Sequence, residues 1–129
     1  MEPEVWGPPA WTFLHTITLT YPENPTIQDK ENYGNFFNLL GEVLPCEKCK
    51  KHYKKNIKDL PINLNSQQEL IEWLFNIHNK VNESNEKSLY NYDDFINKYS
   101  YMYDRQKKYL YLIIIVLIIF VFFLFKLFK

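Results

Sequence analysis

Apolar positions along this chain follow two rules. Up to about residue 108 they are scattered among charged and amide side chains and recur at spacings of three and four, the rhythm of helices with one buried face. From Tyr109 to Phe125, seventeen residues pass without a charge, apolar on every side.

The first regime divides into helices at its breakers and caps. Pro8 and Pro9 suit the first positions of a helix running from Ala10 to about Leu19, with Trp11, Leu14 and His15 along one side. Tyr21-Pro22 and Asn24-Pro25 break it, and Thr26 followed by Asp29 reads as an N-cap with an acidic third position. The second helix extends to about Val43, its inward stripe Tyr33, Phe36, Phe37, Leu40 and Val43 or Leu44, with Gly34 and Gly41 relieving close packing. Pro45 stops it, and a third helix spans about Cys46 to Ile57. Ser66-Gln67-Gln68-Glu69 is a capping box that opens a fourth, with a stripe of Leu70, Trp73, Leu74, Ile77 and Val81. Asn82 to Ser88 reads as a loop before a short fifth helix from about Tyr92, capped by Asn91 and turning Phe95, Ile96 and Tyr99 inward. With no repeat and no β-alternation of useful length, the expected class is all-α: a four-helix bundle with a short fifth helix.

The second regime predicts a C-terminal transmembrane helix. Seventeen residues at about 1.5 Å each reach roughly 25 Å, near the lower limit for spanning. A buried core helix is the alternative, but a polar domain of this size has little interior for an all-round apolar rod. Arg105, Lys107 and Lys108 flank one end and Lys126 and Lys129 the other, so charge gives little orientation. Met1-Glu2-Pro3-Glu4 is acidic and no apolar run follows, so a cytosol-facing domain without a cleavable signal is expected. The expected division is 1–104 for the domain and 105–129 for the anchor.

Composition narrows the function. At 129 residues there is room for one domain and none for a two-domain enzyme. The mean hydropathy of -0.35 beside a 47% hydrophobic fraction shows how polar the first regime is. Residues 1–108 carry thirteen basic against fifteen acidic groups, which excludes a nucleic-acid footprint. Ten tyrosines, ten phenylalanines and three tryptophans indicate ordered aromatic packing.

The two cysteines stand as Cys46-Glu47-Lys48-Cys49. Such a pair is a thiol-disulfide centre, half of a zinc site or an inert disulfide. At a helix start, unpaired N–H groups favour a thiolate, and Lys48, Lys50, Lys51 and His52 add positive charge. A zinc set of Cys46, Cys49 and His52 has short spacing and no second ligand pair, so no metal is expected. His78-Asn79-Lys80-Val81-Asn82 groups an imidazole and two amides, costly to bury unless something polar meets them. With Trp11, His15 and Trp73 they point to a planar heteroaromatic ligand clasped between helices.

Four blocks together, Trp6-Gly7-Pro8-x-x-Trp11-x-x-Leu14-His15 with Tyr21-Pro22 following, Pro45-Cys46-x-x-Cys49, Trp73 with His78-Asn79-x-Val81-Asn82, and Lys87, resemble the FAD-linked sulfhydryl oxidases of the Erv and ALR type. The likeness is strongest to the small membrane-attached forms of large DNA viruses, and it covers about Trp6 to Tyr99. It implies FAD at the mouth of the bundle and a homodimer. Cys49 is implied as the flavin-proximal thiol and Cys46 as the outer thiol that meets substrate. Gly7, Trp11, His15, His78, Asn79, Val81, Asn82 and Lys87 are implied as cofactor-binding, as are Lys98 and Tyr99, which stand where an Arg-Trp pair is usual. Phe75 and Tyr92 occupy positions that carry a second disulfide in cellular members and read as an aromatic replacement. No shuttle CxxC accompanies the core, which implies that a thioredoxin-like or glutaredoxin-like dithiol carrier delivers electrons to Cys46 from thiol-bearing proteins, with dioxygen as acceptor. The implied setting is virion assembly at a host internal membrane. A flavin-free membrane-bound thiol-disulfide reductase or isomerase, and a non-enzymatic tail-anchored adaptor, are the alternatives.

Overall fold

The computed structural model describes residues 2–127, with the side chains at 100, 102–108, 124, 125 and 127 outside that description. Five helices follow one another: α1 (Pro3–Leu19), α2 (Ile27–Val43), α3 (Glu47–Asp59), α4 (Gln67–Ser84) and α5 (Tyr92–Leu127). No strand occurs among the described residues. The chain divides into two compact units, Met1–Tyr90 and Asn91–Lys129.

The first unit is the expected four-helix arrangement. α4 packs against α1 and α3, and α3 against α2. Its core joins Leu14 of α1, Phe37 of α2, Tyr53 of α3 and Leu70, Trp73, Leu74 and Ile77 of α4, with Tyr21 from the α1–α2 turn. Burial of a leucine such as Leu74 stabilises by about 1.5–3 kcal/mol. The Trp73 indole N–H donates to the Leu60 carbonyl at 2.9 Å and its ring meets Phe37 edge-on, so Trp73 is a core residue that ties α4 to the end of α3. The Tyr21-Pro22 turn is fixed in the same way: Tyr21 Oη donates to the Leu64 carbonyl at 2.9 Å, while Gln67 Nε2 donates to the carbonyls of Leu19 and Tyr21.

The caps explain the helix limits. Thr26 and Asp29 form a reciprocal capping box. At α4, Ser66 Oγ accepts from the Glu69 N–H at 3.2 Å, but the Glu69 carboxylate returns to the Ser66 hydroxyl and to Asn63 Nδ2. α1 begins at Pro3, seven residues before the expected start, and holds Pro8 and Pro9 inside it. Their missing N–H groups affect only the carbonyls of Glu4 and Val5, on exposed turns open to water. Gly41 lies against α3, where an added Cβ would come 3.2 Å from the Tyr53 ring. Phe36, expected to point inward, is exposed, because Phe37 and Gly41 hold the face toward α3; of the pair Val43 or Leu44, Leu44 packs against the core and Val43 is exposed.

In the second unit α5 is one continuous 36-residue helix, and the expected boundary at 104/105 falls inside it. Asn91 Oδ1 caps it, accepting from the N–H of Asp93 at 2.9 Å and of Asp94 at 3.4 Å. Phe95 and Tyr99 are buried, with ring centroids 4.8 Å apart, and Ile96 is half-buried. Every described side chain from Tyr109 to Phe123 is 43–65% exposed. No helix among the described residues is long and apolar enough to cross a membrane, so the separate transmembrane helix read from the sequence is not among these elements. Fifteen apolar residues rise only about 22 Å against a hydrocarbon core of about 30 Å. The side chains of Leu124, Phe125, Leu127, Arg105, Lys107 and Lys108, and the residues Phe128 and Lys129, lie outside the described residues.

Candidate redox site

Cys46 and Cys49 form a disulfide at the head of α3. Pro45 precedes an extended Cys46, which serves as N-cap and not, as expected, as a first-turn residue. Its Sγ accepts from the Cys49 N–H at 3.2 Å, and its carbonyl accepts from the Lys50 N–H at 2.9 Å. Both cysteines are half-buried, so the bridge is within reach of a partner. Lys50 pairs with Glu47 at 2.7 Å. Its hydrogen bond, then the charges of Lys50, Lys51 and Lys54, hold the Glu47 carboxyl below the usual carboxylate range. The disulfide removes both sulfurs from the zinc set with His52.

A second cluster joins α1 to α4. The rings of Trp11 and His78 lie parallel, centroids 3.8 Å apart and 6° between planes. His15 Nε2 and His78 Nδ1 share a buried hydrogen bond of 2.9 Å, in which one ring donates and the other accepts. Of the aromatic and imidazole rings grouped from the sequence, Trp11, His15 and His78 meet here, while Trp73 lies in the core against Phe37. At 3.8 Å the Trp11 and His78 rings are in direct stacking contact with each other. Trp11 remains half-buried, leaving part of its surface open.

Beyond α4 the chain turns through Glu86, a non-glycine residue at φ 55°. The Lys87 N–H donates to the Asn82 carbonyl at 2.9 Å, and Ser84, Asn85 and its amide return to the Val81 carbonyl. Asn82 is buried in the last turn of α4, which extends three residues into the expected loop; Val81 is half-buried and Lys87 exposed. The Asn79 amide is committed to the loop: Oδ1 accepts from the Tyr90 N–H at 2.9 Å and Nδ2 donates to its carbonyl at 3.1 Å. That clamp sets the Tyr90 ring edge-on to His78 at 5.0 Å. Sequence reading missed Tyr90; an aromatic closing a polar loop one helix length from His78 was its only signal. A Cβ at Gly7 would meet nothing within 4 Å, so no neighbour among the described residues demands glycine there. Lys98 and Tyr99 lie on α5 in the second unit, Lys98 Nζ 5.6 Å from the Tyr99 ring centre. Phe75 and Tyr92 are both half-buried.

Known proteins share this chain's sequence and fold. A profile described as the Erv1 / Alr family matches residues 8–101. A probable FAD-linked sulfhydryl oxidase, R368, of Acanthamoeba polyphaga mimivirus is 41% identical over 74% of this chain and 69% of its own. The FAD-linked sulfhydryl oxidase ERV1 of Arabidopsis thaliana is 40% identical over 60% of this chain, which spans only 41% of that protein. The crystal structure of the FAD-binding domain of Erv1 from Saccharomyces cerevisiae superposes with a TM-score of 0.73 at 31% identity, covering 77% of this chain and 94% of that one. The profile reaches from the second turn of α1 into α5 and takes in the disulfide, the stacked rings and the Asn79 clamp, and the chain belongs to the Erv1 / Alr family.

Proposed function

We propose that this chain is an FAD-dependent thiol oxidase that makes disulfides in protein substrates. The observation that carries the reading is the half-buried Cys46–Cys49 bridge at a helix start, in a chain of this family. A substrate thiolate attacks Cys46 Sγ and displaces the Cys49 thiolate; the second substrate thiolate then attacks its own bridged sulfur and displaces Cys46. The Cys49 N–H aimed at Cys46 Sγ and the positive helix end stabilise the departing Cys46 thiolate, which drives release of oxidised substrate. Activation therefore needs no general base, and His15 is a positioning group bonded to His78.

The residues present fit FAD. Trp11 presents a flat, half-buried indole backed by the buried His78 and His15 rings, a surface suited to a planar heterocycle. Val81, Asn82 and Lys87 bring a buried amide turn and an exposed ammonium group, suited to the nucleotide portion, and Asn79 acts by holding Tyr90. Open space at Gly7 leaves room for a group from outside the chain. Lys98 and Tyr99 are assigned by resemblance. When bound, FAD accepts the electron pair of the dithiol and passes it to dioxygen.

The exposed apolar length of α5, with the uncharged sequence continuing to Phe125, supports membrane attachment through the C-terminus; a cytosol-facing first unit is part of the same proposal. In this reading the enzyme is a homodimer, receives electrons from a thioredoxin-like or glutaredoxin-like carrier, and serves virion assembly at an internal membrane of a host cell. Flotation of the full chain with lipid vesicles tests the attachment; a chain that stays in the aqueous fraction contradicts it. For the chemistry, Cys49→Ala is expected to abolish dithiol oxidation while flavin stays bound. Undiminished turnover in that variant overturns the assignment.

A further inference from the structure

Charge in the first unit is sharply divided. α3 carries six of the nine lysines between Met1 and Tyr90, with only Glu47 and Asp59 against them, while the rest of that unit holds three basic and ten acidic residues. Two of the six are neutralised: Lys50 pairs with Glu47 and Lys54 with Glu42, each at 2.7 Å. Lys48, Lys51, Lys55 and Lys58 join neither pair, and all four are exposed. Their spacing of three, four and three sets them in one stripe about 15 Å long. The opposite side of α3 holds buried Tyr53 and half-buried Ile57. Asp59, at the last position, is the one acidic residue beyond Lys58 on this helix.

The stripe starts at Lys48, between the two bridged cysteines. We propose that it is the docking surface for an acidic segment of the substrate protein, so that the preferred substrates are dithiols followed or preceded by runs of Asp and Glu. This names a substrate class for the oxidase read above and rests on that reading. Four exposed cations beside a disulfide raise the local concentration of an acidic partner and speed its encounter with Cys46. The acidic remainder of the unit repels the same partner elsewhere, which favours approach along α3.

The test uses the full FAD-loaded chain without oxygen and two reduced CxxC peptides of equal length, one flanked by Asp and Glu, the other by Lys and Arg. The rate at which each peptide becomes disulfide-bonded is read by alkylation and mass, and oxygen uptake with dithiothreitol is measured separately, in air-saturated buffer, on the same protein preparations. The acidic peptide is expected to react about tenfold faster at low salt. That ratio should fall to near one at about 1 M salt, where the screening length is about 3 Å. Lys55→Gln with Lys58→Gln, at the end of the stripe far from the disulfide, should cut the preference about threefold and leave dithiothreitol oxidation unchanged. Equal peptide rates in the native chain, or a preference untouched by salt, overturn the proposal. An unchanged preference in the double variant, with loss of binding to phosphatidylserine vesicles, overturns it in favour of a lipid-facing stripe. A salt-sensitive preference without dithiothreitol-driven oxygen uptake upholds the docking surface and removes the oxidase reading instead.

Discussion

Single residues separate the parts of the site that bind from those that hold the fold. Gly7 sits inside α1 with open space at its missing Cβ. Gly7→Ala should therefore stabilise the flavin-free chain by about 0.5–1 kcal/mol in thermal melts. Flavin retention should fall if the cofactor passes there, and unaltered retention would remove Gly7 from the site. Asn79 acts through two hydrogen bonds to Tyr90. Asn79→Ala should cost about 1 kcal/mol and loosen flavin, read by equilibrium dialysis, without slowing disulfide exchange at Cys46. Tyr53 donates to the Phe37 carbonyl and is buried, which pushes its phenol up. Tyr21 is raised too, first by burial and then by Asp29 and Tyr33. A phenol raised by folding contributes fully below about pH 10, where an unfolded tyrosine titrates, and loses its contribution as pH climbs toward the folded value. Denaturant titrations should show stability falling above about pH 10, and Tyr53→Phe should soften that fall.

At the level of elements, the caps and stripes were legible and the ends less so. Thr26, Ser66 and Asn91 each begin a helix as their side-chain chemistry predicts, because an N-cap is settled within four residues. Ser66→Ala should cost about 1 kcal/mol, measured by urea unfolding. Which of two neighbouring apolar residues faces inward is set by the partner helix, and that is invisible locally: α2 buries Phe37 and exposes Val43 because Gly41 admits α3. Gly41→Val is expected to destabilise by about 1–3 kcal/mol, since the Tyr53 ring beside it is held by its own hydrogen bond. The prolines misled about α1, where an exposed pair is tolerated inside the helix.

For the whole molecule, a four-helix unit, a bridged CxxC and one imidazole-rich face were readable because each is carried by residue types with few other uses in this small chain. The Asn79–Tyr90 clamp and the Trp11–His78 stacking were not, since both depend on how a loop and two helices meet. The apolar length of α5 reads as an anchor in the sequence, yet no described helix is long and apolar enough to cross a membrane, and its role is a matter for vesicle flotation. The proposed function requires that this small helical unit move electrons from thiols to oxygen. Oxygen consumption by the purified, FAD-loaded full chain, with dithiothreitol as the electron source, measures that directly. Catalytic uptake that disappears in Cys49→Ala with flavin still bound is the predicted result; a native chain that binds no flavin, or binds it and consumes no oxygen, would contradict it.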